Sequence, residues 1–140
     1  MVYIDTSILA AYYCPEPLSE KAESFLISYN KPAISNLSEL ELYSAVARKV
    51  HEEGMNRKDA NRIIVKFTGH KDGNFYTFLS VEPQHYQLAR DWIGLFKVGL
   101  KSLDALHLAV ASSEGLTIVT ADKGLFKSAR TLDLDSIYLE

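Results

Sequence analysis

Asp5, Glu41, Asp104 and Asp122 each sit at or near an apolar run: Asp5 after Val2-Tyr3-Ile4, Glu41 beyond Pro32-Ala33-Ile34, Asp104 behind Leu103, and Asp122 after Leu116-Thr117-Ile118-Val119. In a parallel α/β sheet, groups just past the carboxyl ends of strands gather along one rim, however far apart they are in sequence. Carboxylates ~4 Å apart repel by about 4 kcal/mol per pair at an intermediate dielectric. Four of them together therefore call for a cation. An all-oxygen donor set selects a hard ion such as magnesium or manganese over zinc.

Each acid also has a purely structural reading. Asp5 and Asp122 suit helix N-caps at strand-to-helix junctions. Ser38-Glu39-Leu40-Glu41 fits a capping box in which Glu41 returns a hydrogen bond to the backbone of Ser38. Asp104, in the first turn after Ser102, complements a helix dipole. Capping accounts for an acid at each place, but not for carboxylates embedded in flanks as apolar as Tyr3-Ile4-Asp5 and Leu103-Asp104-Ala105-Leu106, where a lone buried charge is costly.

The elements that would position these acids are read from periodicity. Val2-Tyr3-Ile4 predicts a short buried strand, followed by a small helix that Cys14-Pro15-Glu16-Pro17 ends. Ser19 to about Ser28 has helical spacing, and Lys31 to Ile34 predicts a second strand. A helix from Ser35 or Ser38 to about Glu53 is stopped by Gly54, and Arg57 to Phe67 forms a helix pair with it. Gly69 to Asn74 reads as a loop, Phe78 to Val81 as a strand, and Gln84 to Phe96 as a helix. The remainder reads as a helix over Ser102–Ser113, a strand at Thr117-Ile118-Val119, a short helix over Lys123–Arg130 and a last strand at Ile137-Tyr138-Leu139. About five strands alternating with helices imply an α/β fold with a mostly parallel central sheet covered on both faces.

Length and composition limit the alternatives. With 140 residues, 47% of them hydrophobic, the chain suits one globular domain over residues 1–140, and no linker, repeat or low-complexity tract divides it. No basic leader followed by an apolar stretch is present, and no uncharged segment approaches membrane-spanning length, so a cytoplasmic protein is expected. The single cysteine, Cys14, allows no internal disulfide and reads as an apolar filler rather than a nucleophile.

Net charge is −3, yet Arg48, Lys49, Arg57, Lys58, Arg62, Lys66 and Lys71 place nearly half of the 15 Lys and Arg within one stretch. Lys58, Arg62 and Lys66 recur every four residues and would form one helical stripe. Such a stripe either tracks a phosphate backbone or is simply a solvated face.

Four segments carry a family resemblance. Val2-Tyr3-Ile4-Asp5-Thr6-Ser7-Ile8-Leu9, Ile34 through Leu42 with Ala45-Val46-Ala47-Arg48, Ser102 through Ala111, and Val119 through Leu125 resemble, in order, the motifs of PIN-domain ribonucleases. The nearest likeness is to VapC-type toxins of toxin–antitoxin pairs, and it covers nearly the whole chain. The resemblance implies a three-layer α/β/α fold and an endoribonuclease whose acidic quartet, here Asp5, Glu41, Asp104 and Asp122, binds magnesium or manganese. Ser7 and Thr120 match small hydroxyl positions that would orient carboxylates or water. Glu39 competes with Glu41 for the second acidic position, and Leu42-Tyr43-Ser44-Ala45 favours Glu41. His107 reads as a packed helix residue rather than a ligand. Hydrolysis by ion-activated water would need no protein nucleophile. Arg48, Lys58, Arg62 and Lys66 would hold RNA phosphates, and Lys71 and Asn74 would reach unstacked bases. A small antitoxin protein in the active-site groove and a symmetric homodimer are also implied. Tyr12, Tyr13, Phe25, Tyr29 and Tyr43 could serve such contacts, though core packing explains them too. The tail from Thr131 to Glu140 lacks the glycine that many relatives carry before the last strand.

Other classes fit less well. A haloacid-dehalogenase-type phosphotransferase would carry a second acid where Ser7 stands, and a receiver domain would need an acceptor Asp that Phe78 to Pro83 does not supply. A PIN-like module without catalysis, binding RNA or protein, is the remaining alternative.

Overall fold

β1, Val2–Ile4, occupies the middle of a five-stranded parallel sheet in a computed structural model that describes all residues from Met1 to Glu140. Its three apolar side chains are buried and alternate between faces, as a pleated strand requires. Val2 and Ile4 pack on one face; Tyr3 packs on the other.

In chain order the elements are β1, α1 (Thr6–Tyr13), α2 (Ser19–Ile27), β2 (Ala33–Ser35), α3 (Asn36–Glu52), α4 (Arg57–Asp72), β3 (Thr77–Leu79), α5 (Pro83–Ile93), α6 (Ser102–Ser113), β4 (Thr117–Thr120), α7 (Lys123–Thr131) and β5 (Ser136–Tyr138). Strand order is β3-β2-β1-β4-β5, with Tyr3 opposite Ala33 on one side and Ile118 on the other. The chain builds outward from β1 through β2 to β3, then crosses back to β4 and β5. The order reverses between β1 and β4, and such a switch point opens a crevice at the carboxyl ends of the two strands.

Two apolar layers cover the sheet. Ile8, Leu9, Leu26, Leu42, Val46 and Phe67 from α1 to α4 pack on Val2, Ile4, Ile34 and Val119. Leu108, Val110, Leu125 and Ala129 from α6 and α7 pack on Tyr3, Ala33 and Ile118, and α5 lies against α6 through Ala89, Ala105 and Leu106. This is the three-layer arrangement expected from the sequence. Of the five aromatics noted above, Tyr13 is buried, Tyr12, Phe25 and Tyr29 pack against the core edge, and Tyr43 is exposed.

Three local expectations need correction. Gly69 to Asn74 is not a loop, because α4 continues through Asp72. Gly69 is exposed with open space where a Cβ would sit, so its modest cost in a helix is outweighed by packing of the last turn: His70 stacks on Phe75 and accepts from, or donates to, the Tyr13 hydroxyl at 2.7 Å. α5 stops at Ile93 rather than Phe96, with Gly94 as its C-cap and Phe96 at φ 56°. The capping box of α3 joins Ser35 and Ser38, not Ser38 and Glu41.

In the glycine-free tail, Asp133 takes the left-handed conformation at φ 56° before β5, one that aspartate tolerates better than most residues. After α6, Gly115 takes φ +66°, while Leu116 N–H donates to Ala111 O and Gly115 N–H to Ser112 O. That pair of bonds is a Schellman cap. A Cβ at Gly115 meets nothing within 4 Å, so Gly115→Ala is expected to cost only backbone strain, ~1 kcal/mol by urea denaturation. A cost above about 3 kcal/mol would indicate a packing role.

Candidate functional site

Two of the acids stand where β1 and β4 end, at the switch point of the sheet. Asp5 follows β1 and caps α1: its Oδ1 accepts from Ile8 N–H at 3.3 Å and Ser7 Oγ at 2.5 Å. Its Oδ2 accepts from the hydroxyl of Thr120, the last residue of β4. Ser7 Oγ in turn accepts from Ala121 N–H at 2.8 Å, and Thr120 Oγ1 from Asp122 N–H at 2.9 Å. Ser7 and Thr120 thus contact Asp5 as expected, and they fasten the α1 entry to the β4 exit. Asp5 is only 4% exposed; burial raises its carboxyl above the usual range, against the opposing pull of the Ser7 and Thr120 hydroxyls.

Asp122 caps α7, where its Oδ1 accepts from Gly124 N–H at 2.8 Å and Leu125 N–H at 3.1 Å. The structural readings of Asp5 and Asp122 as caps are therefore correct, and they coexist with a position on the rim. Asp104 stands in the first turn of α6, half-buried. Burial raises its carboxyl first, and the nearby charges of Asp122 and Glu41 raise it further, offset in part by His107 and Lys101. Asp104 therefore lies in the fields of both Asp122 and Glu41.

Glu41 lies one turn into α3. Its Oε1 accepts from Thr6 Oγ1 at 2.6 Å and meets His107 Nε2 in a close contact. Burial pushes this carboxyl up, but the His107 contact and the Thr6 hydroxyl outweigh it and hold the carboxyl below its usual range. Glu39 is elsewhere, paired with Lys71 at 2.9 Å. The geometry sets Glu41, not Glu39, on the side of Asp104.

His107 is buried as expected, yet it is more than packing. Its Nδ1 lies 2.6 Å from the Tyr3 hydroxyl, and burial pushes that phenol up to about 12. Tyr3 and Thr6 escaped the reading of the sequence. The available signal for Tyr3 was a tyrosine in an otherwise aliphatic central strand, where a buried hydroxyl must find a partner.

None of Asp5, Asp104 and Asp122 has a lysine or arginine partner, and Glu41 pairs only with His107. Glu41 Oε2, both oxygens of Asp104 and Asp122 Oδ2 accept no hydrogen bond. No three Asp, Glu, His or Cys side chains lie close enough together to hold a metal ion. Uncompensated, all-oxygen carboxylates with free lone pairs are nonetheless a donor set that fits a hard divalent ion.

The predicted basic residues divide into two groups. Arg48 shares a groove with Glu41, walled by Leu40 and Leu103, both exposed. Lys58, Arg62 and Lys66 line a separate shallow groove on the exposed side of α4, where Arg62 pairs loosely with Asp59 at 3.8 Å and Lys66 lies over the Tyr12 ring at 5.2 Å. Lys71 is not a free loop cation: it pairs with Glu39 and lies 4.6 Å from the Phe78 ring centre. Asn74 follows α4 at φ 59°.

The PIN domain family model matches residues 2–131. No curated protein matches the sequence significantly. Among solved structures, the chain resembles the FitAcB structure from Neisseria gonorrhoeae at 21% identity and TM-score 0.73, covering 98% of this chain and 96% of that one. It resembles VapC20 of Mycobacterium tuberculosis, described as a sarcin-ricin-loop-cleaving toxin, at 16% identity and TM-score 0.71 over 89% of this chain and 92% of that one. A DNA-bound VapBC structure from Salmonella typhimurium matches at 16% identity and TM-score 0.73 over 100% of both chains. At these identities the structural likeness establishes a shared fold. No helix of the chain is long and apolar enough to cross a membrane.

Proposed function

The chain belongs to the PIN-domain family, and from that premise we propose that it is a magnesium- or manganese-dependent endoribonuclease acting as the toxin of a toxin–antitoxin pair. The observation that carries the reading is the acidic rim. Asp5 and Asp122 stand where β1 and β4 end, Asp104 lies in the fields of Asp122 and Glu41, and none of the four forms a salt bridge with a lysine or arginine, which supports a shared role for them.

Asp5, fixed by Ser7 and Thr120, is the rigid anchor for an ion. Asp104 offers two free oxygens, and Asp122 and Glu41 one each. The chemistry supplied by a bound divalent ion is neutralisation of charge at the scissile phosphate and activation of water at neutral pH. Arg48, in the groove beside Glu41, holds a phosphate next to the cut, while Leu40 and Leu103 give the groove apolar walls. No protein nucleophile is needed. Cys14 is a poor one, because burial pushes its thiol above the usual range.

Complexes such as the Salmonella VapBC structure support a cognate antitoxin as partner. The proposal extends to a single domain over residues 1–140, a homodimer and a cytoplasmic location. Purified protein free of its partner should cleave single-stranded RNA with magnesium or manganese, and chelation should stop it. Cleavage that persists in excess chelator contradicts the reading, and binding without cleavage under either metal favours the non-catalytic module.

The α4 stripe is tested separately. Changing Lys58, Arg62 and Lys66 together to Gln is expected to weaken RNA binding about tenfold and to lower the salt slope by about 2, at roughly 0.7 per phosphate contact on a single strand, without moving the cleavage position. An unchanged slope returns the stripe to a solvated face.

A further inference from the structure

The hydroxyls of Ser35 and Ser38 each accept a backbone N–H from the other residue, at 3.3 and 3.0 Å, in the box that caps α3. One of them can donate to the other across 3.3 Å, but not both, so at least one proton goes to the Tyr3 hydroxyl oxygen, which lies 2.9 Å from Ser35 Oγ and 3.3 Å from Ser38 Oγ. With its oxygen accepting there, Tyr3 directs its proton to the remaining acceptor, His107 Nδ1 at 2.6 Å. A neutral imidazole that accepts at Nδ1 carries its hydrogen on Nε2. Nε2 meets Glu41 Oε1, which also accepts from Thr6 Oγ1. Every donor in this chain points toward Glu41, and Tyr3, Ser35, Ser38 and His107 are all buried, so water does not compete for the bonds.

We propose that Tyr3 and His107 are positioning residues for Glu41. Tyr3 selects the Nε2–H tautomer of His107, and that N–H engages Oε1 so that Oε2 remains available to an ion. The inference rests on the reading of the rim as a divalent-cation site. It gives Tyr3, which touches no carboxylate, a measurable effect on ion binding.

The test uses the full-length, metal-free protein with isotope-labelled histidine. Nitrogen–proton correlation NMR at neutral pH reports the His107 tautomer, and manganese titration followed by electron paramagnetic resonance reports affinity. Wild type is expected to show the Nε2–H tautomer. Tyr3→Phe should mix the tautomers and weaken manganese about tenfold, the low end of the 10–100-fold typical of groups that orient a ligand. His107→Gln keeps an amide donor for Glu41 and has no tautomer to select, so it should stay within about threefold of wild type, and adding Tyr3→Phe to it should weaken binding no further. A merely structural Tyr3 would give the same loss in both backgrounds. An Nδ1–H or doubly protonated ring in wild type, unchanged affinity in Tyr3→Phe, or a further tenfold loss in the double variant overturns the inference, as does wild-type protein that binds no manganese. Wild type that binds manganese but cleaves no RNA overturns the nuclease reading alone.

Discussion

Asp104→Asn is expected to lower RNA cleavage by more than ~100-fold, beyond what loss of an outer-shell partner costs, while leaving the metal-free protein at least as stable as wild type. Asp104 is half-buried, has no basic partner, and sits in the fields of Asp122 and Glu41, so its charged form is disfavoured in the fold. A carboxyl raised in this way binds its proton more tightly folded than unfolded. Its stabilising contribution is present below the ordinary value of 3.8 and is lost as pH rises through the folded pKa. At neutral pH the charge is therefore a liability without an ion, and the nearly isosteric amide removes it. Glu41, held below its usual range, has the opposite sign: its contribution is present above the ordinary 4.5 and fades as pH falls through its folded pKa. Cleavage assays and thermal melts on one preparation decide the matter. A variant as active as wild type removes Asp104 from the machinery, and one that loses activity only in step with its melting temperature makes it structural.

Magnesium or manganese at about 100 times its dissociation constant is expected to stabilise wild type by about 2.7 kcal/mol, a rise of several degrees in Tm, and to leave Asp5→Asn unmoved. Asp5 is the most buried of the four acids, and both of its oxygens are already oriented by hydroxyls. Asparagine fits the same space but replaces one carboxylate oxygen by an amide NH2, removing the negative charge at this buried position. Equal shifts in both proteins would locate the ion elsewhere.

The fold was legible where local chemistry and tertiary demand agreed. Val2-Tyr3-Ile4 and Thr117-Ile118-Val119 are short apolar runs bounded by turn formers, and both are central strands. Legibility failed at Gly69, where a residue that usually punctuates a helix is carried through by contacts of His70 and Lys71 with Phe75, Tyr13 and Glu39. No local pattern encodes those partners. Of the acids, the positions of Asp5 and Asp122 were legible because each directly follows a strand and caps the next helix, and that of Asp104 because it falls in the first turn of α6, whereas Glu41 lies further inside α3. The role of His107 was only half legible: an apolar helix predicts its burial, but its bonds reach Tyr3, 104 positions away, and Glu41, 66 away. The alternation of β1 sends Tyr3 away from Ile4, and only the three-dimensional register shows that its hydroxyl ends beside Ser35 and Ser38. The α4 stripe shows the limit in the other direction: its periodicity was correct, but spacing alone could not reveal that Arg48 would share the Glu41 groove and Lys58, Arg62 and Lys66 would not.

That the four carboxylates gather around one divalent ion is tested most directly by anomalous diffraction from crystals of the partner-free protein soaked in manganese. The expected result is a peak within about 2.5 Å of oxygens from Asp5, Asp104 and Asp122, with Glu41 turned toward it directly or through water. A protein that cleaves RNA in the same manganese solution yet shows its peak away from these residues, or none at the rim, would contradict the account.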